Sequence, residues 1–297
     1  MTTMPSYILN GEDFGFTSSD SQAGGNAGSL NAMFAAMQPG WTALLPPGVF
    51  KFSTKPHPIP AGCELRGAAY LGTELIRSYV PAILSEFFIE IGGGCASLRS
   101  LVINADDGTT GGIPYGGIAT NAVYAGGISL LEDISSSGIG AGIWYRMCYF
   151  EGSARTAGIP GGAPGIRSLI ARNLRGFQAQ ETGFFLSACK AFIGEGLDFV
   201  STPTWPSYGG LMLTGSDSIY CDSPIISATN LGDIILDKTT NAIINVSFAR
   251  KITFEATATG CQVNVGGEAQ PTLDANGKLG GYGNILKTNG TWYYSPS

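Results

Sequence analysis

The sequence predicts an all-β protein built as a parallel solenoid, in which the chain winds into stacked coils. Three observations predict this fold. Short apolar runs bounded by Gly, Asn, Asp or Ser follow one another along the 297 residues, and beyond residue 166 they recur about every 20 residues. Gly occurs 44 times and Pro 16 times, which supplies turn residues for many bends. A helix pattern occurs once, near the N-terminus.

That helix is predicted over residues 29–38, SLNAMFAAMQ. Ser29 is a suitable N-cap residue, and Pro39-Gly40 ends the pattern. Four apolar residues at helical spacing form one stripe: Leu30, Met33, Phe34 and Met37. A stripe of this kind is typical of a face packed against a core. The next residues, WTALLPPGVFKFSTKPHPIPAGCELRG (41–67), predict three short strands separated by proline-rich turns.

Seven later segments predict the strands of the coils: SLRSLVINAD (97–106), GISLLEDISSSG (127–138), GIRSLIARNLRGF (165–177), ACKAFIGEGLDFVS (188–201), GSDSIYCDSPIIS (215–227), LGDIILDKTTN (231–241) and AIINVSFARKITFEAT (242–257). Several place a polar pair before alternating apolar residues, which points one side chain inward and the next outward. A single coil cannot bury its inward face, whereas stacked coils can. An antiparallel sandwich is the competing fold, but it requires tight hairpins between the runs.

One hairpin signal does occur, at the C-terminal end of the chain. In LKTNGTWYY, Asn289-Gly290 suits a type I′ turn between two strands. We expect Trp292, Tyr293 and Tyr294 to be buried there, against the last coil or against a partner subunit.

The composition limits the functional classes. Charged residues make up 13% of the chain and the net charge is −6, and a nucleic-acid-binding protein would more often show a basic patch. Six cysteines form no C-x-x-C pair and His57 is the only histidine, so we expect no zinc, no cofactor and buried, reduced thiols. No run of about 18 apolar residues predicts a membrane-spanning segment.

The N-terminal residues 13–76 carry a resemblance to a known family. The matching pieces are Asp13-Phe14-Gly15, the helix, LPPGVF (45–50), PIPAGCELRGA (58–68) and GTELI (72–76). They resemble the N-terminal part of the pectate-lyase-like, right-handed parallel β-helix superfamily, in particular bacteriophage tailspikes and their depolymerase relatives. The acidic run that usually precedes the helix in that family is reduced here to Asp20.

The resemblance implies a right-handed β-helix whose open end is capped by the helix. It implies a segment 1–28 that attaches to the virion tail or an adaptor protein, a β-helix over 29–266 and a C-terminal hairpin and trimerisation segment over 267–297. It further implies a homotrimer on the virion, made in the bacterial host cytoplasm, that recognises host surface polysaccharide in capsule or lipopolysaccharide. We expect neither a nucleic-acid partner nor membrane insertion.

Catalysis would rest on carboxylates, because glycoside hydrolysis needs two of them about 5–9.5 Å apart. Equivalent positions on adjacent coils lie about 4.8 Å apart, so carboxylates one or two coils apart would fit. The candidates are Glu195, Asp198, Asp217 and Asp222, with Glu195 and Asp198 as the preferred pair. Acidic residues scattered on a solvated face explain the same pattern without catalysis.

Sugar binding is predicted for two aromatic, irregular stretches, since long loops on a rigid scaffold often carry binding residues. The candidates are Trp144, Tyr145, Arg146, Glu151, Arg155, Trp205 and Tyr208. Packing between subunits or over the coils is the alternative role for these residues.

Three functions remain open from the sequence. The first is a phage tailspike that binds host polysaccharide, with depolymerase activity as a hydrolase or lyase left undecided. The second is a structural or decorative β-helix protein of the virion without a glycan site. The third is a stand-alone polysaccharide lyase or hydrolase.

Overall fold

The computed structural model describes residues 7–18, 23–69, 71–79, 86–91, 95–105, 120–126, 129–137, 144–151, 169–177, 179–200, 209–215 and 220–296. Their strands, in chain order, are β1 (Ile8–Asn10), β2 (Thr42–Leu45), β3 (Gly48–Phe52), β4 (Glu64–Gly67), β5 (Thr73–Arg77), β6 (Glu86–Ile91), β7 (Ala96–Ala105), β8 (Thr120–Gly126), β9 (Ser129–Ser137), β10 (Trp144–Glu151), β11 (Leu169–Arg172), β12 (Arg175–Phe177), β13 (Ala179–Ser187), β14 (Ile193–Val200), β15 (Gly209–Thr214), β16 (Cys221–Asp222), β17 (Ile225–Asn230), β18 (Asp233–Leu236), β19 (Thr239–Thr240), β20 (Ile243–Phe248), β21 (Lys251–Phe254), β22 (Gln262–Val265), β23 (Gln270–Pro271), β24 (Ile285–Thr288) and β25 (Thr291–Tyr294). A 3-10 helix over Gly11–Phe14 and one α-helix, α1 (Ala23–Ala36), precede β2.

Strands of successive coils pair in parallel, which is the arrangement of a parallel β-helix. A long sheet has the order β1-β2-β4-β7-β9-β11-β14-β17-β20-β22-β24-β25, with β3, β5 and β12 extending it sideways. A second sheet contains β6, β8, β10, β13, β15, β18, β21 and β23, and β16 pairs with β19. Among the paired strands of the described chain, only β24 and β25 are antiparallel. The predicted solenoid is confirmed, and all seven predicted segments supply strands of these sheets.

Coil length differs along the molecule. One register position is shared by Glu64, Ser97, Leu130, Ile170, Ile193, Ile225, Ile243, Gln262 and Ile285. By these residue numbers the first three coils are 33, 33 and 40 residues long, and the next five are 23, 32, 18, 19 and 23. The predicted repeat of about 20 residues therefore describes the C-terminal coils well, whereas most of the N-terminal coils contain more residues. The coils before Ile225 are called the wide coils below, and those after it the narrow coils.

The wide coils share a sharp bend within the long sheet. Ser100, Asp133, Asn173 and Gly196 occupy it in four successive coils, with φ of 55°, 56°, 51° and 64°. These are left-handed values that most L-residues avoid. Asn173 Nδ2 donates a hydrogen bond to Asp133 Oδ1 at 3.0 Å, which ties two neighbouring bends together. In the coils that follow, β17, β20 and β22 contain no residue with positive φ.

The core changes where the coils narrow. Phe150, Phe184, Phe192 and Phe199 are completely buried in the wide coils. After residue 225, the buried side chains are mostly aliphatic, and Phe254 is the one buried Phe that the described chain shows there. The core is therefore partly aromatic before residue 200 and mainly aliphatic after residue 225.

The N-terminal cap corrects one prediction: α1 begins at Ala23, six residues before Ser29. Three glycines in this extension are poor helix formers, and tertiary contacts compensate for them. The Asn26 side chain is completely buried; it accepts a hydrogen bond from Thr17 N and donates to Lys51 O. The predicted stripe does face the core, with Leu30 and Met33 completely buried. The expected segment boundary at residue 28 falls inside α1.

The C-terminal hairpin has the predicted turn. Asn289 and Gly290 have φ of 45° and 77°, the two positive values that a type I′ turn requires. Tyr293 packs against the core as expected. The expectation that the last coil buries Trp292 and Tyr294 is wrong, because alternate residues of β25 face outward and these two are 46% and 55% exposed.

The six cysteines are free thiols, and five of them are buried. Burial raises the pKa of the Cys221 thiol to about 12, so this side chain behaves as a small neutral core residue. Cys95 corrects the prediction that all six are buried, because it is exposed with φ of 64° immediately before β7.

Candidate functional site

One row of outward-facing side chains crosses the long sheet from the wide coils to the C-terminus. Strand register places its members side by side on adjacent coils, about 4.8 Å apart. The outward row consists of Arg66, Arg99, Glu132, Arg172, Glu195, Ser227, Asn245, Asn264, Lys287 and Trp292. The register along the row is irregular between β14 and β17, beside the last of the sharp bends at Gly196. The row divides there into a charged half and a nearly neutral half.

The charged half neutralises itself. Arg99 Nε lies 3.2 Å from Glu64 Oε1 and 3.3 Å from Glu132 Oε2. Arg172 Nε donates a hydrogen bond to Glu195 Oε2 at 2.8 Å. Opposite charges face one another at each step from Arg99 to Glu195, which favours this arrangement. Arg66 and Arg99 are like-charged register partners, and both lie near Glu64. The ladder therefore stabilises the stacking of the wide coils modestly and offers few unpaired charges to a ligand.

The predicted catalytic residues occupy three different situations. Glu195 and Asp198 both lie on β14, on either side of the bend at Gly196. Glu195 is bound to Arg172, and Asp198 has Arg175 as its register partner on the neighbouring strand. Asp217 lies outside the described residues. The preferred pair is therefore close in sequence, with Glu195 hydrogen-bonded to Arg172 and Asp198 in register with Arg175.

Asp222 lies at a different corner of the coil, on β16. Its Oδ1 accepts hydrogen bonds from Thr240 Oγ1 at 2.7 Å, Ser223 Oγ at 3.1 Å and Asn241 Nδ2 at 3.2 Å. The bond from Thr240 is the main cause that lowers the pKa of Asp222, with further lowering from Asn241, Ser223 and the Lys190 charge. A carboxylate that accepts three hydrogen bonds is suited to stabilising this corner of the coil rather than to donating a proton.

The predicted aromatic binding residues fall mostly outside the described part of the chain. Trp144, Tyr145, Arg146 and Glu151 belong to strand β10 by their backbone, which corrects the prediction of an irregular stretch there. Their side chains lie outside the described atoms. Arg155, Trp205 and Tyr208 lie outside the described residues altogether. These sugar-binding predictions stay predictions.

The nearly neutral half of the outward row lines a groove of about 660 Å³. Its floor carries carboxamides on neighbouring strands, and the C-terminal hairpin forms one wall. Asn264 Nδ2 donates to Asn245 Oδ1 at 2.9 Å, and Gln262 Nε2 donates to Asn264 Oδ1 at 3.4 Å. Lys287 and Trp292 complete the lining at the hairpin end. No Asp or Glu occurs among the described residues that line this groove.

Two aromatic rings extend the groove across the hairpin. Trp292 and Tyr294 project from the same face of β25, with ring centroids 6.4 Å apart and an interplanar angle of 11°. The Lys287 ammonium lies 5.1 Å from the centre of the Trp292 ring. Parallel, exposed rings next to hydrogen-bonding side chains are suited to stacking on the apolar faces of ring-shaped ligands.

This groove was not predicted from the sequence, although one signal was available. The Asn289-Gly290 turn fixes a two-residue hairpin, and that register places Lys287 directly opposite Trp292. The alignment of Asn245 with Asn264 depends on coil length, which the sequence did not fix.

Membrane spanning and metal binding are two further properties that the described residues bear on. Their helices all lack the combination of length and apolar character that a transmembrane segment needs. No cluster of three or more His, Cys, Asp or Glu side chains is placed to hold a metal ion within the same residues.

Comparison with known proteins adds information on the fold. No family model and no curated protein sequence matches the chain. The AlgE6 A-module of Azotobacter vinelandii mannuronan C-5 epimerase is similar in structure, with a TM-score of 0.51 and 12% identity over 96% of this chain and 83% of that one. The AlgE4 A-module of the same organism gives 0.45 and 15%, over 96% and 84%. The Streptococcus pneumoniae surface protein and adhesin PfbA gives 0.39 and 7%, over 95% and 97%. The first similarity shows the fold, a right-handed parallel β-helix.

Proposed function

We propose that this protein is a polysaccharide-binding β-helix. Its ligand lies in the groove between the carboxamide row, formed by Asn245, Gln262 and Asn264, and the C-terminal hairpin. The observation that carries the proposal is the exposed Trp292 ring, which is 46% accessible beside Lys287 and the carboxamides of β20 and β22. Sugars present both apolar ring faces and many hydroxyls, so they suit a site with an aromatic platform and paired amides.

The strand spacing also supports an extended ligand. Ser227, Asn245, Asn264 and Lys287 repeat once per coil along the solenoid axis, at about 4.8 Å. A polymer with one sugar following another can meet equivalent polar groups repeatedly, whereas a small metabolite would contact only one or two coils. The AlgE6 A-module, which shares the fold, belongs to an enzyme named for a polysaccharide, mannuronan.

The biological setting that we propose is the one expected from the N-terminal resemblance. The protein is a phage tailspike that assembles as a homotrimer, attaches to the virion tail or an adaptor through its N-terminal segment, and binds host surface polysaccharide. The groove supports binding without hydrolysis at this position, because the described lining holds no carboxylate and glycoside hydrolysis needs two. Depolymerisation by Glu195 and Asp198 is a separate proposal.

The test is binding of the purified chain to immobilised bacterial surface polysaccharides. Trp292→Ala should weaken binding about 30-fold, because a central aromatic anchor typically contributes 2 kcal/mol or more. Tyr282→Ala is the matched control, since Tyr282 is 58% exposed but lies outside the groove. Equal loss in both variants, or no binding of the wild-type protein to any polysaccharide, would contradict the proposal.

The virion setting needs its own measurement. Light scattering of the purified protein, together with an SDS gel of unheated sample, should report a trimer of 30.8 kDa chains. A monomer in solution would argue against the tailspike and leave the polysaccharide groove to be tested alone.

A further inference from the structure

We infer that the groove selects anionic polysaccharides, in which sugar rings carry carboxylate or sulfate groups. This inference rests on the proposed function and specifies the ligand class of the same site. It follows from the charge and the hydrogen-bonding polarity of the lining.

The charge argument concerns Lys287. It is the one ionised side chain among the described residues that line the groove. The salt bridges of the described chain do not include it, and its ammonium lies over the Trp292 ring. The charged half of the outward row provides the contrast, because Arg99 and Arg172 there are each next to a glutamate. No carboxylate of the described chain forms a salt bridge with Lys287, so its ammonium can pair with an anionic group of a ligand.

The polarity argument concerns the carboxamide row. Gln262 donates to Asn264, and Asn264 donates to Asn245. The direction of these bonds leaves Asn245 Nδ2 as a donor without a hydrogen-bond partner in the described chain. The ammonium of Lys287 supplies three more N–H donors and no acceptor. Asn245 and Lys287 lie two strands apart, about 10 Å, on either side of Asn264 in the outward row.

Donors are thus present on both sides of Asn264, and the one on the Lys287 side carries a positive charge. A neutral sugar hydroxyl donates as well as accepts and gains nothing from the charge. A carboxylate or sulfate oxygen accepts only, and its hydrogen bond to an ammonium is stronger than a neutral one. Because Trp292 stacks with the ring that carries the anion, the site can recognise the sugar and its charge together.

The experiment uses an array of bacterial capsular polysaccharides and lipopolysaccharides, acidic and neutral, with the full chain as the probe. Each bound acidic polymer is then retested after carboxyl reduction or after desulfation, which separates the two sources of charge. We expect binding to acidic polymers that falls at least about tenfold on removal of the charge and that weakens with added salt.

Variants assign the effect to the groove. Lys287→Gln should reduce binding of the acidic polymer about tenfold, and Lys287→Arg should retain most of it. Lys251→Gln removes the same charge from β21 in the second sheet and should leave binding unchanged. If Lys287→Gln is also neutral, the inference is wrong.

The remaining outcomes are distinguishable. Equal binding of neutral and acidic polymers overturns this inference and leaves the proposed function standing. Binding of no polymer overturns both. If light scattering shows that Trp292→Ala dissociates an oligomer, a second copy of the chain covers the groove and no polysaccharide is bound there.

Discussion

The outward row differs in charge and in charge pairing between the coils before residue 200 and the coils after residue 225. In the wide coils, Arg99 and Arg172 pair with glutamates on neighbouring strands. In the narrow coils, the same row carries Asn245, Asn264 and an unneutralised Lys287. The sheet is continuous through both regions, so the difference in charge comes from the side chains that each strand contributes to the row.

The comparison teaches how a repetitive fold separates stability from recognition. In the wide coils, Arg99 and Arg172 pair with glutamates one coil away, so this face mainly stabilises the stacking of the coils. Where the row is polar, nearly neutral and ends at an aromatic hairpin, hydrogen-bonding capacity remains for a ligand. Four predictions test this division, beginning with the largest expected effect.

The cores of the two regions should respond differently to truncation. Phe199 is completely buried, and added Cβ atoms at Gly176 and Gly183 would lie 2.5 Å and 2.3 Å from its ring. Phe199→Ala should therefore lower the free energy of unfolding by about 3–5 kcal/mol. Ile244→Val in a narrow coil should cost about 0.5–1.5 kcal/mol. Denaturant midpoints at unchanged m-value measure both, and a loss below about 1 kcal/mol for Phe199→Ala would contradict the close packing around this ring.

The C-terminal end should open on its own when its buried amide is removed. Asn284 is 1% exposed; it accepts from Cys261 N and donates to Ala258 O and Gly280 O. Asn284→Ala should cost about 1–3 kcal/mol, because it leaves buried backbone groups unsatisfied. Hydrogen exchange should rise in β24 and β25 while β2 to β5 stay protected, since a solenoid couples mainly neighbouring coils. A uniform rise along the chain would show that the two regions unfold as one unit.

The charged half of the row should be salt-sensitive, and the carboxamide half should not. Arg172 and Glu195 side chains are 43% and 55% exposed, so a double-mutant cycle should give about 0.2–1 kcal/mol of coupling. Coupling should nearly vanish at about 1 M salt, where the Debye length is about 3 Å. The Asn245 and Asn264 pair serves as the uncharged comparison. Coupling that persists at high salt would contradict the ion-pair interpretation.

The smallest effect concerns pH. Hydrogen bonds, the bond from Thr240 first, lower the pKa of Asp222 in the folded protein. The stabilisation is therefore fully present above the unfolded pKa of about 3.9 and is lost as pH falls through the lower folded value. Because Asp222 is largely solvated, the loss should stay below about 1 kcal/mol. Asp222→Asn should flatten stability between about pH 5 and pH 3, as measured by thermal unfolding, and an unchanged slope would contradict this role.

Local patterns predicted the fold class and most strands of the long sheet, but six of the eight strands of the second sheet lie outside the predicted segments: β6, β8, β10, β13, β15 and β23. Alternating apolar residues bounded by turn residues identified the strands of the coils, and Asn289-Gly290 identified the hairpin. The start of α1 was missed because it depends on Asn26, whose partners Thr17 and Lys51 are separated from it in sequence. Such contacts override a low helix propensity, which a sequence pattern cannot show.

The candidate site was harder to predict than the fold. The sequence placed emphasis on Glu195, yet its nearest ionic neighbour, Arg172, is 23 residues away and meets it only through strand register. The groove likewise depends on the coil lengths that align Asn245, Asn264 and Lys287. A shift of one residue in any coil would turn these side chains into the core.

The antiparallel hairpin also limits self-assembly. A parallel solenoid exposes unpaired backbone groups at its last coil, and another copy could continue the winding there and begin a head-to-tail fibre. Here the chain reverses after Asn289-Gly290, and β25 covers β24 in the opposite direction. An incoming β1 that ran parallel to β24 would therefore meet a strand of the wrong polarity. The same turn and strand that hold Trp292 in the groove, Asn289-Gly290 and β25, end one-dimensional growth of the fold.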